Sequence, residues 1–384
     1  MYAAKMKVAL VHRTMSHYRA GPLLALQRTL GGGLTVVTSR ELVPDGKFPF
    51  FVLPAEIPHK QLPAKLIRVR LGGRTYNFVW QSGLVKELER LDPDVVLCEG
   101  ESNLISNLVI AAWSRRRRVP YVWWSLGRTR SRPLSGARRL TYFPLRAILW
   151  RAAAIVCYSS YGRTFYHSYY GIPEERLFVA LNCVDAHGAR NVSHEDRQSL
   201  RRQLGLHEED VVLLYVGALR PEKRPDLFLN LSTRIQRRMR NVASVVIGDG
   251  PLRAELERQA RGQRILFLGR IVADVDRYFQ AADIFVMPGL GGLALHQAMA
   301  NGLPIVSAPA DGTELDLVEP LRNGCILESG DPEMWIEQMW PLLLDRGLRM
   351  RMGRRSREMV DERANVETMT QQIIRALEYA LVAQ

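Results

Sequence analysis

No apolar run in these 384 residues approaches the 18 or so that a membrane-spanning helix needs, so the chain is expected not to cross a bilayer. Met1 to Met15 lacks the apolar region and small-residue cleavage site of a secretory leader, and Val8-Ala9-Leu10-Val11 reads as a strand. Only four cysteines occur (Cys98, Cys157, Cys183, Cys325), far apart and without CxxC spacing. That excludes a disulfide framework or a cysteine zinc site and fits reduced, mostly buried thiols in a cytoplasmic protein. There is no repeat of 20–50 residues and no low-complexity tract. Helix-turn-helix, zinc-finger and RNA-binding signatures are also missing, so nucleic acid is not an expected partner. A hydrophobic content of 47% with 24% charged residues excludes wholesale disorder.

Acid is scarce in one half only. The net charge is +14, yet residues 1–190 hold 28 basic and 12 acidic residues, a balance of +16 against −2 for the remainder. Such asymmetry points to an anionic partner of the first half. A genome preference for arginine explains Arg in place of Lys but not the imbalance.

Short apolar runs alternate with amphipathic stretches, the pattern of α/β folds with parallel sheets. Strands read at 6–11, 34–38, 94–98, 120–124 and 153–157, and again at 210–216, 242–247, 264–268, 283–287 and 303–308. Helices read at 20–30, 76–91, 103–115 and 160–170, then near 225–238, 251–261, 274–281, 292–300 and 332–345. The length suits two Rossmann-like, doubly wound domains facing across a cleft: an N-terminal domain over 1–187 and a C-terminal domain over 188–365. The polar seam at 186–197 separates them. A helix within 366–384, apolar along Met369, Ile373, Ile374 and Leu377, is expected to pack back on the first domain. Ligands of such sheets bind beyond the carboxyl ends of the strands, so the loops there carry the chemistry.

Three loops of the second half stand at those ends. Gly217-Ala218-Leu219-Arg220-Pro221-Glu222-Lys223-Arg224 opens a helix, and Arg220, Lys223 and Arg224 converge where a strand end and a helix N-terminus favour a diphosphate. The alternative is a solvated basic loop. Gly248-Asp249-Gly250-Pro251 permits close backbone approach, compatible with a tight turn or with a ligand. Gly289-Leu290-Gly291-Gly292-Leu293 leads into a helix whose free N–H groups can hold oxygens. Gln297, one turn in, is a candidate for a ribose hydroxyl, whereas His296 reads as a packing or surface residue.

These loops resemble the C-terminal domain of retaining, nucleotide-sugar-dependent glycosyltransferases of family four (group 1), which have the two-Rossmann GT-B fold. Ser16-His17-Tyr18-Arg19 is similar to the family's N-terminal loop, and Leu181-Asn182-Cys183-Val184-Asp185 to its segment before the linker. Asp311-Gly312-Thr313-Glu314 and Asn323-Gly324-Cys325-Ile326-Leu327 resemble its closing pattern. The resemblance covers essentially the whole chain. It implies that Arg220 and Lys223 act catalytically on the donor diphosphate. It also implies that Gly217, Gly248, Gly250, Gly269 and Arg270 frame the donor, with Gly289, Leu290, Gly291, Gly292, Leu293 and Gln297 against its sugar and ribose. His17, Tyr18, Arg19 and Arg128 would lie on the acceptor side.

Three departures qualify that reading. The family's Glu-x(7)-Glu pair falls on Gly289 and Gln297, so both carboxylates are absent. The usual Arg two residues after the strand falls on Ala218, leaving Arg220 as its substitute. A frequent family His falls on Leu126. An active enzyme and a non-catalytic nucleotide-sugar-binding partner of another transferase are both consistent with these losses.

The resemblance implies retention of anomeric configuration, a nucleotide sugar of unspecified base as substrate, and no cofactor. No metal is expected: Asp92-Pro93-Asp94 has Asp-x-Asp spacing but opens a strand, where turn chemistry explains it. Basic residues interleaved with aromatics between Arg128 and Arg151 suit either an Arg-faced packed helix or an anionic membrane surface. The expected acceptor is a glycan or a lipid-linked precursor, and the expected place is the cytoplasm, peripheral at the inner membrane face.

Overall fold

The computed structural model describes residues 6–40, 52–71, 74–100, 103–130, 145–185 and 193–383. Two compact units emerge: Met1–Arg128, Arg132–Val184 and Val366–Gln384 form the first, Thr129–Ser131 and Asp185–Asn365 the second.

The first unit is built on an eight-stranded sheet. β1 (Val8–Val11) lies between β2 (Leu34–Arg40) and β5 (Val95–Glu99), and beyond β5 follow β6 (Tyr121–Ser125), β7 (Ala154–Cys157) and β8 (Leu177–Val179), all parallel. On the other side β3 (His59–Leu71) runs parallel to β2, and β4 (Arg74–Gln81) antiparallel to β3. Helices α1 (Ala20–Thr29), α2 (Leu84–Leu91), α3 (Leu104–Arg117), α4 (Leu145–Arg151) and α5 (Ser160–Tyr170) complete this part. Val8, Leu10, Val95, Leu97, Val122 and Trp124 join one buried cluster, while Ala9, Val11, Val96, Cys98, Trp123 and Ile155 join another. Both faces are therefore covered, which is why these strands read as continuous apolar runs.

The second unit has six parallel strands: β9 (Val211–Val216), β10 (Val242–Ile247), β11 (Ile265–Gly269), β12 (Ile284–Met287), β13 (Ile305–Ser307) and β14 (Gly324–Ile326). They stand in the order β11-β10-β9-β12-β13-β14. Its helices are α6 (His194–Gln203), α7 (Pro225–Arg238), α8 (Arg253–Gln259), α9 (Asp276–Ala281), α10 (Leu293–Ala300), α11 (Glu314–Leu317), α12 (Pro332–Leu344) and α13 (Arg346–Arg363). Ser193 starts α6 with a reciprocal cap: its hydroxyl accepts from Asp196 N, and the Asp196 carboxylate accepts from Ser193 N.

The last helix, α14 (Val366–Val382), returns to the first unit and packs on α1 and on β5 to β8. Its buried stripe includes Val366, Met369, Ile373, Ile374, Leu377 and Ala380, and Met369 Sδ lies 3.6 Å from Cys183 Sγ. All four cysteines are free thiols, three of them buried.

One sequence expectation is corrected. The stretch 76–91 is helical only from Leu84; Arg74–Gln81 is β4, paired to β3 with Ala64 opposite Gln81 and Leu66 opposite Val79. Alternation decides it, with Val79 buried and Trp80 46% exposed.

Candidate active site

In the second unit the loop after β9 and the loop after β10 are laced together by their backbones. Gly217 N donates to Ile247 O at 2.9 Å, Leu219 N to Asp249 O at 3.0 Å, and Leu252 N to Leu219 O at 3.1 Å. A Cβ on Gly248, whose φ is 147°, would stand 1.9 Å from Gly217 O; one on Gly250 would stand 2.5 Å from Leu219 O. Packing of the two loops thus demands both glycines before any ligand is considered. Gly269 closes the next strand, accepting from Gly248 N at 2.8 Å, and Arg270 beside it is exposed.

After Leu219 the chain makes one 3-10 turn, Pro221–Lys223, and Arg224 adopts a φ of 52° before Pro225 starts α7. That turn points Lys223 inward. Its Nζ donates to the carbonyl oxygens of Leu290 and Gly291, while Leu290 N donates back to Glu222 O at 3.0 Å. Burial lowers the Lys223 pKa from its ordinary value, and the nearby Asp311 and Glu222 carboxylates oppose that shift. Two of the three ammonium donors are taken, which leaves one for an anion. Arg220, half-buried, forms no side-chain hydrogen bond or ion pair among the described residues.

The glycine loop before α10 is held by the same contacts. A Cβ on Gly289 would lie 2.5 Å from Lys223 C and 2.7 Å from Glu222 O, so no side chain fits there. Gly291 is buried, but an added Cβ would meet nothing nearer than 3.6 Å. Gly292, at φ 62° and ψ −143°, takes a conformation reserved for glycine and caps α10, with Leu293 as its first residue. Gln297 is already engaged, its Nε2 donating to Asp276 Oδ1 at 3.1 Å; the same oxygen receives Asn301 Nδ2 at 2.7 Å. His296 turns the other way, onto the Ala364 carbonyl at 2.5 Å, and burial pushes its pKa down to about 4.

Sequence reasoning gave no role to Glu314, which the structure buries completely. Its carboxylate accepts from Ala310 N at 3.0 Å, Gly312 N at 2.8 Å and Arg130 Nη1 at 3.2 Å, folding the loop after β13 around itself. Arg130 also donates to Glu328 at 2.6 Å. Asp311 sits in that loop, near Gly292 and within the field of Lys223.

At the carboxyl ends of the first unit's strands lies a second polar cluster. Arg19 is only 6% exposed; its guanidinium stacks 4.5 Å over the Trp124 ring and donates to Tyr158 Oη at 2.5 Å. Burial works against its charge, but the Tyr158, Tyr18 and Glu99 oxygens outweigh burial and hold its pKa above the usual arginine value. Arg19 Nη1 and Trp124 Nε1 are buried without a hydrogen-bond partner. His12 Nδ1 stands 3.1 Å from Glu99 Oε2, out of line for a hydrogen bond, and Glu99 accepts from Arg13 N at 2.6 Å. Burial lowers the His12 pKa to about 4 despite that carboxylate.

Tyr18 is half-buried with Arg19 5.7 Å from its ring, and Arg128 has a buried, unpartnered Nε. The backbone of His17 lies in the 3-10 turn His17–Arg19, while its side chain is outside the described set. Arg19 is thus a pillar beneath the surface. Replacing it by Ala should cost the first unit about 2–3 kcal/mol in a urea titration, from lost stacking and a stranded Tyr158 hydroxyl. An unchanged midpoint would contradict that role. The sequence signal missed here was Tyr158, placed one residue after the apolar run of β7. Among the described residues no three His, Cys, Asp or Glu side chains group closely enough to hold a metal ion.

Two family models match the chain in tandem. "Glycosyltransferase Family 4" covers residues 25–187 and "Glycosyl transferases group 1" covers residues 196–359. The sulfoquinovosyl transferase of Arabidopsis thaliana is 30% identical over 172 residues, 43% of this chain and 33% of that protein. A D-inositol 3-phosphate glycosyltransferase of Geodermatophilus obscurus is 32% identical over 182 residues, 43% of this chain and 39% of that protein. The chain therefore spans about a third to two fifths of these curated relatives.

Solved structures match over nearly full length. Anabaena HepE, crystallised with UDP, has a TM-score of 0.74 at 19% identity, covering 97% of this chain and 100% of that one. Sucrose-phosphate synthase of Thermosynechococcus elongatus gives 0.72 at 16%, covering 99% and 100%. At such identities these neighbours speak to the fold, which is the two-domain GT-B architecture. With the tandem family matches over both halves, the chain belongs to the group 1, family four glycosyltransferases.

Proposed function

We propose that the protein transfers a sugar from a nucleoside diphosphate sugar to a glycan or lipid-linked acceptor, with retention and without a divalent ion. The observation that carries this reading is the setting of Lys223. It is partly dehydrated, pinned by the Leu290 and Gly291 carbonyls, and left with one N–H free beside the unpaired Arg220. As the anomeric C–O bond breaks, charge grows on the diphosphate, and the held Lys223 ammonium, joined by the Arg220 guanidinium, stabilises that charge. The leaving phosphate oxygen then takes the proton of the incoming hydroxyl on the same face. This accounts for retention and requires no side-chain base at Leu126.

In this reading the α10 amino end and the backbone of Gly291, Gly292 and Leu293 receive the donor sugar. Gln297, with one N–H and its carbonyl still free of Asp276, receives the ribose. Gly217, Gly248, Gly250 and Gly269 shape the base side, with Arg270 at its rim. The basic first unit receives the acceptor near Tyr18 and Arg128, at the inner membrane face, and Arg19 positions Trp124 and Tyr158 beneath it.

UDP is the first ligand to titrate, because solved proteins of the same fold were captured with it. Lys223→Ala should weaken nucleoside diphosphate binding by about 1.5–3 kcal/mol, the worth of a charge-assisted hydrogen bond. Calorimetry checks it, and equal affinity would remove Lys223 from the donor site. The anomeric coupling in the product's proton spectrum tests retention, and turnover after chelation tests the metal. Failure of every common nucleotide sugar to be transferred or hydrolysed would sink the reading.

A further inference from the structure

A cavity of about 720 Å³ opens in the first unit, away from the loops described above. It is lined by Val119 and Pro120, which enter β6, and by Ala152 and Ala153, which enter β7. Because those strands are parallel, it lies at their amino ends, opposite Trp124 and Tyr158. Four arginines line it from three separate segments: Arg115 and Arg118 from the end of α3, Arg151 from the end of α4, and Arg176 from the turn before β8. No Asp or Glu is among the lining residues.

Arginines at a helix C-terminus complement the helix dipole, which by itself would explain Arg115. The same dipole suits Arg151, the last residue of α4, whose Nη1 donates to the Ala147 carbonyl at 3.3 Å, but it does not explain why Arg176 faces the same space. Arg176 is fixed there by donating to the Trp150 carbonyl at 3.0 Å and to the Ala152 and Ala153 carbonyls. Arg115 and Arg118 have no side-chain partner among the described residues. Ser114, also on the lining, is 6% exposed and its Oγ is buried without a hydrogen-bond partner. Like charges gathered without a counter-charge repel one another, and a buried hydroxyl without a partner costs further free energy. One ligand chemistry relieves both: an anion with several acceptor oxygens. Trp150, 43% exposed, and Tyr379 supply an aromatic wall beside it.

We infer that this cavity is a second anion site, separate from the donor loops, that binds a phosphate or pyrophosphate group through Arg115, Arg118, Arg151, Arg176 and Ser114. The group could arrive free in solution or as the headgroup of a lipid, and the two arms of one experiment tell these apart.

Pyrophosphate is titrated calorimetrically into full-length protein carrying Arg220→Ala, which weakens competition from the donor loops. The same protein with Arg115→Glu and Arg118→Asn is compared; Asn tolerates the left-handed φ of 56° at position 118. In parallel, both are sedimented with phosphatidylcholine vesicles with and without phosphatidylglycerol. Arg68→Glu with Arg70→Asn, exposed on β3, serves as a charge-matched control.

Loss of pyrophosphate affinity by about tenfold or more in the cavity variant alone supports a site for free phosphate. A similar loss confined to anionic vesicles supports a lipid headgroup, and loss in both arms supports a site open to either. The proposal is overturned if the parent binds neither probe, if the cavity variant binds both as the parent does, or if the control loses as much.

Discussion

Restoring the family's first carboxylate with Gly289→Glu will weaken donor binding rather than improve it. The Cβ alone would fall 2.5 Å from Lys223 C and 2.7 Å from Lys223 Cα, inside any real carbon contact, and both obstacles are backbone. The loop before α10 must then part from the 222–223 turn. That breaks the Leu290–Glu222 hydrogen bond and removes the two carbonyls that hold Lys223 Nζ. Overpacking of this kind costs about 1–3 kcal/mol or more in stability. Displacement of the cation should lower turnover by roughly a hundredfold, as misplacement by an ångström does. Gly291→Ala is the matched comparison, since its Cβ would meet only ordinary contacts at 3.6 Å. The alanine variant should melt with wild type, and the glutamate variant should melt earlier and bind nucleoside diphosphate poorly. A glutamate variant that is stable and faster would overturn this account of the loop.

Mild acid should destabilise both units through one histidine in each. Burial holds His12 and His296 neutral, with pKa lowered from 6.5 to about 4. Between those values the unfolded chain takes up a proton that the native state refuses, so stability is complete above about pH 6.5 and falls as the pH drops toward 4. The loss is about 3 kcal/mol for each histidine. For His296 the cause is plain: it is 1% exposed, and its hydrogen bond to the Ala364 carbonyl does not offset the burial of a full charge. For His12, Glu99 pulls toward protonation while burial and Arg19 push against it. Urea midpoints between pH 7 and 5.5 measure the slope, above the range where most ordinary carboxylates titrate. His296→Gln should flatten the second unit's share of it, and a slope that survives in that variant would reassign the proton uptake.

Much of the fold is legible in sequence because both sheets are buried on two faces. Runs such as Val211–Val216 and Val242–Ile247 are apolar throughout, and α7 follows its first-turn proline. The β3–β4 hairpin is harder to see. Its partly exposed strands mix Lys, Arg and Gln with apolar residues, and Trp80, Leu84, Leu88 and Leu91 together suit a helical stripe that runs on through β4. Strands of three residues, such as β8 and β14, are too short to show any period. α13 escapes notice because its buried face includes Gly353 and Ser356 in place of large apolar residues.

In the candidate site, residue types and order were readable, whereas their engagement was not. Sequence offers Gly289 as a missing carboxylate; the structure makes it a contact point that admits no side chain. Sequence offers Gln297 as a free amide, and only the fold brings Asp276 to it across 21 positions. Glu314 and Tyr158 lie at loop ends, where no periodicity marks them.

The return of α14 to the first unit has a consequence for the order in which the protein is made. The core shared by Leu23, Leu26, Val156 and Leu377 needs a helix encoded after the whole of the second unit. The ribosome must therefore add roughly two hundred residues beyond Val184 before the earlier-made sheet can be sealed on that face, on the order of ten to forty seconds at ordinary elongation rates. During that interval the second unit, contiguous but for its loan of Thr129–Ser131, has its chain in hand first. The half that starts synthesis is the half that finishes folding last.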